Sequence, residues 1–296
     1  QLNGFYALHD ENSAVTQFIR IEGNIVKRVN VKDIREFIRR WVVDRFEDRS
    51  ILNLVLNTTK LSPAALESLQ EIDLNFSTCT PDSQYFFFPN KTVEVCRKTE
   101  ANADGFKEYE PGSDDLHNYV WEDDVIPHRF KRLPDMFRIN KIVADDGSET
   151  LDIDILDTRS HFFGYLINTS RLYWREETEK RFEDDSEAAK AYGKANPYRI
   201  DGEGLQPYEV HEQKLNLINK IFTFGYMLHR YKDYARPWAP LAMDNKIGEE
   251  DECNGRSGKS FFFKVLSFLM KTVKLSGRNP KLMDNPHVFD QVTQFT

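Results

Sequence analysis

Apolar and polar positions alternate in short runs along the first hundred residues, and this period of two predicts β-strands. The runs GFYALH (4–9) and TQFIRIEGNIVKRV (16–29) come first, and Gly23-Asn24 inside the second predicts a hairpin turn between two strands. Three further short runs of the same type follow, each bounded by turn residues: EIDLNFST (71–78), QYFFFPN (84–90) and TVEVCR (92–97).

Helical periodicity interrupts these strands in two places. Residues 31–46 are predicted to form a helix, because their apolar side chains share one stripe: Ile34, Phe37, Ile38, Trp41 and Val42. Ser62-Pro63, a cap residue followed by proline at the first helical position, predicts a second and shorter helix. Residues 100–124 are polar, acidic and rich in turn residues, which indicates a loop or linker. We therefore expect residues 1–124 to form a mixed α+β accessory domain.

The pattern becomes mainly helical between residues 125 and 235, which predicts a helical linker or collar region. The run from residue 160 to 182 begins this region, and residues 184–204 are expected to be an exposed connector. Residues 207–234 then predict a long helix with one apolar face: Ile218, Ile221, Phe222, Gly225 and Leu228. Pro237 and Pro240 would end it.

Residues 236–296 predict the order strand, loop, helix. APLAMDNKI (239–247) is expected to be a buried strand, and FFFKVLSFLMKTV (261–273) a helix with Phe262, Val265, Leu266 and Leu269 on one face. This order is typical of the start of an α/β phosphate-loop (P-loop) domain.

The composition limits the possible functions. The 296 residues carry a net charge of −8, so any contact with nucleic acid would be a local patch rather than a generally basic surface. Cys79, Cys96 and Cys253 are scattered without metal-ligand spacing, which argues against a disulfide framework or a zinc site and favours a reducing cytoplasm. No apolar run approaches the roughly 18 residues needed to span a membrane.

The stretch DECNGRSGKSFFF (251–263) contains the second half of the phosphate-binding pattern GxxxxGK[ST]. In that pattern backbone N–H groups surround the phosphates, the lysine reaches the β and γ oxygens, and the hydroxyl ligates Mg²⁺. Gly258, Lys259 and Ser260 occupy its last three positions, whereas Cys253 stands where the first glycine is expected. The acidic residues 249–252 would repel a triphosphate unless they turn away or pair with cations. The alternative is a glycine–serine helix entry that binds no ligand.

The residues around this loop resemble a known family. YMLHRYKDY (226–234) and APLAMDNKIGEEDECNGRSGKSFF (239–262) resemble the helicase region of primase–helicase proteins from phages and mobile elements of Bacteroides-type bacteria, within the superfamily III helicases. SGRNPKLMDNPHVFDQVTQFT (276–296) is similar to the segment that precedes the acidic Walker B strand in that family. The upstream runs FIRIEGNIVKRV and YFFFPNKTVEV look like the domain that precedes the ATPase.

The resemblance implies a hexameric, AAA+-like motor that hydrolyses ATP with Mg²⁺ and moves along single-stranded DNA in the bacterial cytoplasm. Lys259 would be the catalytic lysine on the β and γ phosphates, and Ser260 would ligate the metal. The nucleotide-binding residues would be Cys253, Asn254, Gly255, Arg256, Ser257, Gly258, Lys259, Ser260 and Phe261. The Walker B carboxylates, a sensor and an arginine finger are expected beyond Thr296, so this chain alone is expected to turn over little or no ATP.

Other groups of residues are candidate sites, but each also has a purely structural interpretation. The arginines of residues 31–46 could contact DNA phosphates, but ion pairs with neighbouring carboxylates on a solvated helix face are favoured. The basic stretch 128–141, with Phe130 and Phe137, is either a DNA-binding patch or a surface linker. DDGSETLDIDILD (145–157) suggests a metal site or, equally, a strand with an acidic outer face. Two further hypotheses remain: a non-enzymatic DNA- or protein-binding module, and an unrelated P-loop kinase.

Overall fold

A computed structural model describes residues 4–8, 17–45, 49–100, 102–183, 185–243 and 258–276, together with 285 and 287. The chain forms two compact units, Gln1–Phe130 and Lys131–Thr296, and its architecture is mixed α+β with several small sheets. The division falls six residues beyond the predicted end of the first domain at residue 124. The boundary at residue 235 stays a prediction.

In its described residues, the first unit contains two sheets and three helices. Its strands are β1 (Phe5–Leu8), β2 (Gln17–Glu22), β3 (Ile25–Arg28), β4 (Glu71–Ile72), β5 (Ser83–Phe87), β6 (Thr92–Cys96), β7 (Phe106–Tyr109) and β8 (Val120–Trp121). Its helices are α1 (Val31–Arg45), α2 (Arg49–Leu56) and α3 (Pro63–Leu66), with 3₁₀ turns at Thr59–Leu61 and Glu122–Asp124. The larger sheet has the order β4-β1-β2-β3-β8, and β5-β6-β7 form an antiparallel sheet of three strands.

The predicted hairpin at Gly23-Asn24 is confirmed. β2 and β3 pair antiparallel on either side of it, and Gly23 takes the left-handed backbone (φ +60°) that a tight turn favours. Asn24 is buried rather than solvent-facing. Its amide donates hydrogen bonds to the carbonyls of Leu116 (3.0 Å) and Asn118 (3.1 Å), and its side-chain oxygen accepts one from the Gly112 N–H (3.0 Å). The turn residue therefore anchors a segment far away in sequence.

The helices predicted for the first unit are also confirmed, but its loop prediction is wrong in part. α1 buries Ile34 and Val42 from the predicted stripe, and Ser62 caps α3 by accepting a hydrogen bond from the Ala65 N–H. Residues 100–124, predicted to be a loop, include β7 and β8. β8 has only two residues and β7 four, too few for either to show a period of two.

The described part of the second unit combines a hairpin with a group of helices. Its elements are β9 (Phe137–Val143), β10 (Glu149–Ile155), α4 (His161–Ser170), α5 (Trp174–Phe182), α6 (Ser186–Ala195), α7 (Pro207–Leu228) and α8 (Lys259–Lys264), followed by a 3₁₀ turn at Val265–Phe268. The core lies where β10, α4, α7 and α8 meet: Ile153, Phe163, Leu166, Ile167, Ile200, Leu217, Ile218 and Phe262. The connector predicted at 184–204 contains α6, so that prediction is wrong in part.

The long helix predicted for residues 207–234 is confirmed over Pro207–Leu228 and ends six residues earlier than predicted. Its buried face is also rotated from the predicted one. Ile218 is buried as expected, whereas Phe222 is 55% exposed. Gln213, which the predicted apolar face did not include, is fully buried. Its side chain accepts a hydrogen bond from the Tyr173 N–H (2.9 Å) and donates one to the Ile200 carbonyl (2.7 Å). A buried amide with both partners satisfied costs little, so the core includes a polar position that the apolar pattern excluded.

Candidate nucleotide site

The structure describes the second half of the predicted phosphate loop. Gly258, Lys259, Ser260 and Phe261 fall within it. The predicted ligands Cys253, Asn254, Gly255, Arg256 and Ser257 lie outside the described residues, as do the acidic residues 249–252.

Gly258 occupies a position that only glycine fits without strain. Its φ is +84°, in the left-handed region that residues with a Cβ adopt at a cost. A Cβ built there would lie 2.9 Å from the Tyr165 hydroxyl oxygen and 3.4 Å from the Thr169 methyl carbon. Both neighbours belong to α4, so the end of the loop packs closely against that helix.

Hydrogen bonds fix the carbonyl of Gly258 at the start of α8. It accepts from the N–H groups of Phe261 (2.9 Å) and Phe262 (3.1 Å) and from the Tyr165 hydroxyl (2.7 Å). Lys259 and Ser260 are the first two residues of α8. The first N–H groups of a helix have no acceptor within the helix and carry a partial positive charge, which is the feature that phosphates use. Lys259 is half-buried and Ser260 is exposed.

Aromatic packing anchors α8 to the core. Phe262 is buried and meets Phe224 of α7 edge to face, with 6.0 Å between ring centroids. Phe261 packs edge to face on Tyr165 at 4.7 Å. The helix predicted for residues 261–273 is confirmed in part. α8 and the 3₁₀ turn after it cover residues 259–268, with Phe262 and Leu266 buried as expected, whereas residues 269–273 are not helical.

Lys220 is a half-buried cation that supports the carboxyl end of α4. Its ammonium donates a short hydrogen bond to the Thr169 carbonyl and another, of 3.2 Å, to the Ser170 hydroxyl. The last carbonyls of a helix lack partners within the helix, so Lys220 of α7 caps α4. Burial lowers the pKa of Lys220 to about 8. Tyr165, Thr169 and Lys220 carried no signal in the sequence, since tertiary packing alone brings Tyr165 and Thr169 to Gly258 and Lys220 to the end of α4.

The strand predicted before the loop is not observed where the structure can show it. Residues 239–243 have no regular structure and are exposed, and residues 244–247 lie outside the described part of the chain. Residues 237–242 include two prolines, which cannot donate to a strand ladder, and two alanines, which offer little side chain to bury in a sheet. Within the described residues of the second unit, the strands are the antiparallel pair β9 and β10.

The other candidate sites have structural explanations. On α1, Arg39 (2.6 Å) and Arg40 (2.9 Å) both pair with Glu36, and their hydrogen bonds lower the pKa of that carboxyl to about 2. Arg35 donates to the Leu61 carbonyl. The ion-paired helix face therefore agrees with the geometry better than a row of DNA-binding arginines does.

The basic stretch 128–141 uses its aromatic rings for packing. Phe130 contacts Phe88 in the first unit, and Phe137 contacts Phe163 in the second. Residues 149–155 form β10, so the interpretation as a strand with acidic residues is the one observed. Asp152 of this strand pairs with Lys214 at 2.8 Å. In the part of the chain that is described, no cluster of three or more His, Cys, Asp or Glu could hold a metal ion.

Comparison of the chain with protein-family models, curated proteins and solved structures gives no match. Across the described residues, none of the helices has the length and apolar character required to cross a bilayer.

Proposed function

We propose that this chain is the accessory and nucleotide-binding part of an ATP-dependent replicative DNA helicase, in which residues 253–260 bind the phosphates of ATP. The observation that carries the proposal is the geometry of Gly258. It is a left-handed glycine held by the Tyr165 hydroxyl directly before a helix that begins Lys259-Ser260. A GK[ST] sequence at a helix start is the arrangement that phosphate binding requires.

The residues of this turn fit a Mg²⁺-triphosphate in their chemistry. Ser260 offers an exposed hydroxyl, and Mg²⁺ needs few protein ligands because phosphates and water complete its shell. The metal would neutralise charge on the β and γ phosphates. Lys259 would hold the same oxygens, and the first N–H groups of α8 would donate to them.

The experiment is a titration of the chain with fluorescent mant-labelled ATP, with and without Mg²⁺. We expect Lys259→Ala to weaken binding by about 10- to 100-fold, the loss of one charge-assisted contact. Ser260→Ala should remove the effect of Mg²⁺. The matched control is Lys264→Ala, which removes an exposed lysine from the last turn of the same helix and should leave the affinity unchanged.

A second candidate is a DNA- or protein-binding module whose glycine turn binds no nucleotide. The absence of a strand at residues 239–243 favours it, since a phosphate loop ordinarily connects a strand to a helix. Mant-ATP that does not bind, or that binds equally to the wild type and to Lys259→Ala, would overturn the nucleotide proposal and favour this second candidate.

A further inference from the structure

A cluster of exposed aromatic rings lies at the carboxyl end of α7, where the sequence predicted only the end of a helix. After Leu228 the chain turns back, so that the Trp238 N–H donates to the Tyr226 hydroxyl at 3.0 Å. The Trp238 ring centroid lies 5.8 Å from that of Phe222 and 6.0 Å from that of Tyr226. Phe222 and Tyr226 are nearly parallel, with 18° between their planes.

These rings are packed against each other and yet open to solvent. Phe222 is 55% exposed and Trp238 is 62% exposed. Exposed apolar patches of this kind often mark interaction sites, and the faces of these rings are accessible to a ligand. They line a groove of about 430 Å³, whose walls are Phe222, Thr223, Tyr226, Trp238, Ala239 and Pro240. A groove of this size is in the range that holds small flat molecules.

Basic residues lie close to these rings in the sequence. Between Leu228 and Met243 the chain carries Arg230, Lys232 and Arg236 against the single carboxylate Asp233, although the whole chain has a net charge of −8. The Lys232 ammonium lies 4.4 Å from the centroid of Tyr226 and donates to the Tyr226 carbonyl at 2.8 Å. The charge of Lys232 is thereby held beside the groove. A local cationic patch on an acidic chain selects an anionic partner.

Flat exposed rings beside cations match one class of partner more closely than the others. Bases in a single strand are accessible and stack on aromatic side chains, while Lys and Arg neutralise the phosphates. In a duplex the bases are already stacked on each other, so exposed rings gain nothing from it except phosphate attraction.

We propose that the aromatic–basic surface formed by Phe222, Tyr226, Lys232, Arg236 and Trp238 binds single-stranded nucleic acid, with a base stacked in the groove. The surface lies on the opposite side of α7 from the contact that Phe224 makes with Phe162 and Phe262, because residues 222 and 224 project about 200° apart on a helix. The surface therefore shares no residue with the predicted phosphate loop at Gly258–Ser260.

Fluorescence anisotropy of a labelled oligothymidylate of about 20 nucleotides, long enough for one binding site, tests the proposal on the whole chain without nucleotide. Trp238→Ala should weaken binding at least about ten-fold, equivalent to about 1.4 kcal/mol of lost stacking. Arg236→Gln should lower the slope of log affinity against log salt by about one.

Two variants serve as controls. Tyr208→Ala removes a ring that is 66% exposed in the first turn of the same helix and should leave binding unchanged. Lys264→Ala removes an exposed lysine from α8 and should also bind the oligonucleotide normally. Because this assay contains no nucleotide, failure of the nucleotide proposal and failure of this one are distinguishable. Circular dichroism confirms that each variant is folded.

Three outcomes of the anisotropy measurements would overturn the proposal. They are no binding of the oligothymidylate by the wild type at low salt, equal binding by Trp238→Ala, and binding of a duplex as tight as that of the single strand. A protein-docking surface would show itself as self-association that Trp238→Ala abolishes and that the oligonucleotide does not compete with, which also counts against the proposal. An oligouridylate of equal length shows whether DNA or RNA is preferred, and tight binding of either supports the stacking chemistry.

Discussion

Replacing Gly258 by alanine tests whether α4 holds the end of the predicted phosphate loop. The added Cβ has two separable effects, one on the backbone and one on packing. The left-handed backbone costs about 1–2 kcal/mol for a residue with a Cβ. A gain of about 0.4–1 kcal/mol offsets part of this, since alanine restricts the unfolded chain more than glycine does.

The packing effect comes from Tyr165. Its hydroxyl oxygen would lie 2.9 Å from the new Cβ, closer than such contacts occur, so the ring must move. That movement breaks the hydrogen bond from the Tyr165 hydroxyl to the Gly258 carbonyl, which contributes about 0.5–1.5 kcal/mol. We therefore expect Gly258→Ala to lower the free energy of unfolding by about 2 kcal/mol in total.

The chain offers a matched control for the backbone effect alone. Gly147, in the turn between β9 and β10, has φ +79°, and a Cβ added there meets no atom within 4 Å. Gly147→Ala should therefore cost about 1 kcal/mol or less. Both glycines belong to the second unit, so the two variants report on the same unfolding transition.

Urea-induced unfolding, followed by circular dichroism and by tryptophan fluorescence, measures these differences where the two signals coincide. In a Tyr165→Phe background the closest atom and the hydrogen bond are both gone, so Gly258→Ala should cost about 1 kcal/mol less than in the wild type. Equal costs for Gly258→Ala and Gly147→Ala, or additive costs for the Gly258 and Tyr165 changes, would refute the proposed role of Tyr165.

Two further predictions concern the packing around α8 and the cap of α4. Phe262→Ala should lower the free energy of urea-induced unfolding by about 3–5 kcal/mol. Phe268→Ala, at a site that is 51% exposed, should lower it by less than about 1 kcal/mol. Similar values for the two variants would show that α8 is not anchored in the core. For Lys220, whose pKa is about 8 in the folded chain against the ordinary lysine value of 10.5, the unfolded state binds the extra proton between these values. Stability should therefore rise by about 1–3 kcal/mol as pH increases from about 8 to 10.5, and this increment should be absent in Lys220→Met; parallel pH profiles of the two proteins would contradict the assignment.

Much of the secondary structure could be predicted because local patterns determine it. The β2–β3 hairpin, α1, the cap at Ser62 and α7 each depend on residues close together in sequence. The predictions failed where distant partners decide the outcome. Gln213 enters the core because Tyr173 and Ile200 satisfy its amide, and no periodicity of α7 could show that.

The candidate site, too, could be predicted from the sequence only in part. The motif identified Gly258, Lys259 and Ser260, and the left-handed glycine before a helix is what such a motif requires. The groups that hold this turn could not be predicted, since Tyr165 lies 93 residues before Gly258 and only packing brings the two together. The aromatic–basic surface was missed for another reason. Phe222 was assigned to the buried face of α7, so its exposure beside Trp238 was not expected.

The side chain of Asn24 imposes an order on the formation of the first unit. Its partners are the carbonyls of Leu116 and Asn118, 92 and 94 residues later, and the N–H of Gly112, 88 residues later. During synthesis the β2–β3 hairpin leaves the ribosome long before these groups exist, so the amide must stay hydrated until they arrive. β8 then pairs beside β3 and completes the sheet. A chain cut before Gly112 has none of these partners, so the Asn24 amide would stay hydrated and the turn would lack the segment that packs on it. We therefore expect shortening of the first unit before residue 120 to destabilise it.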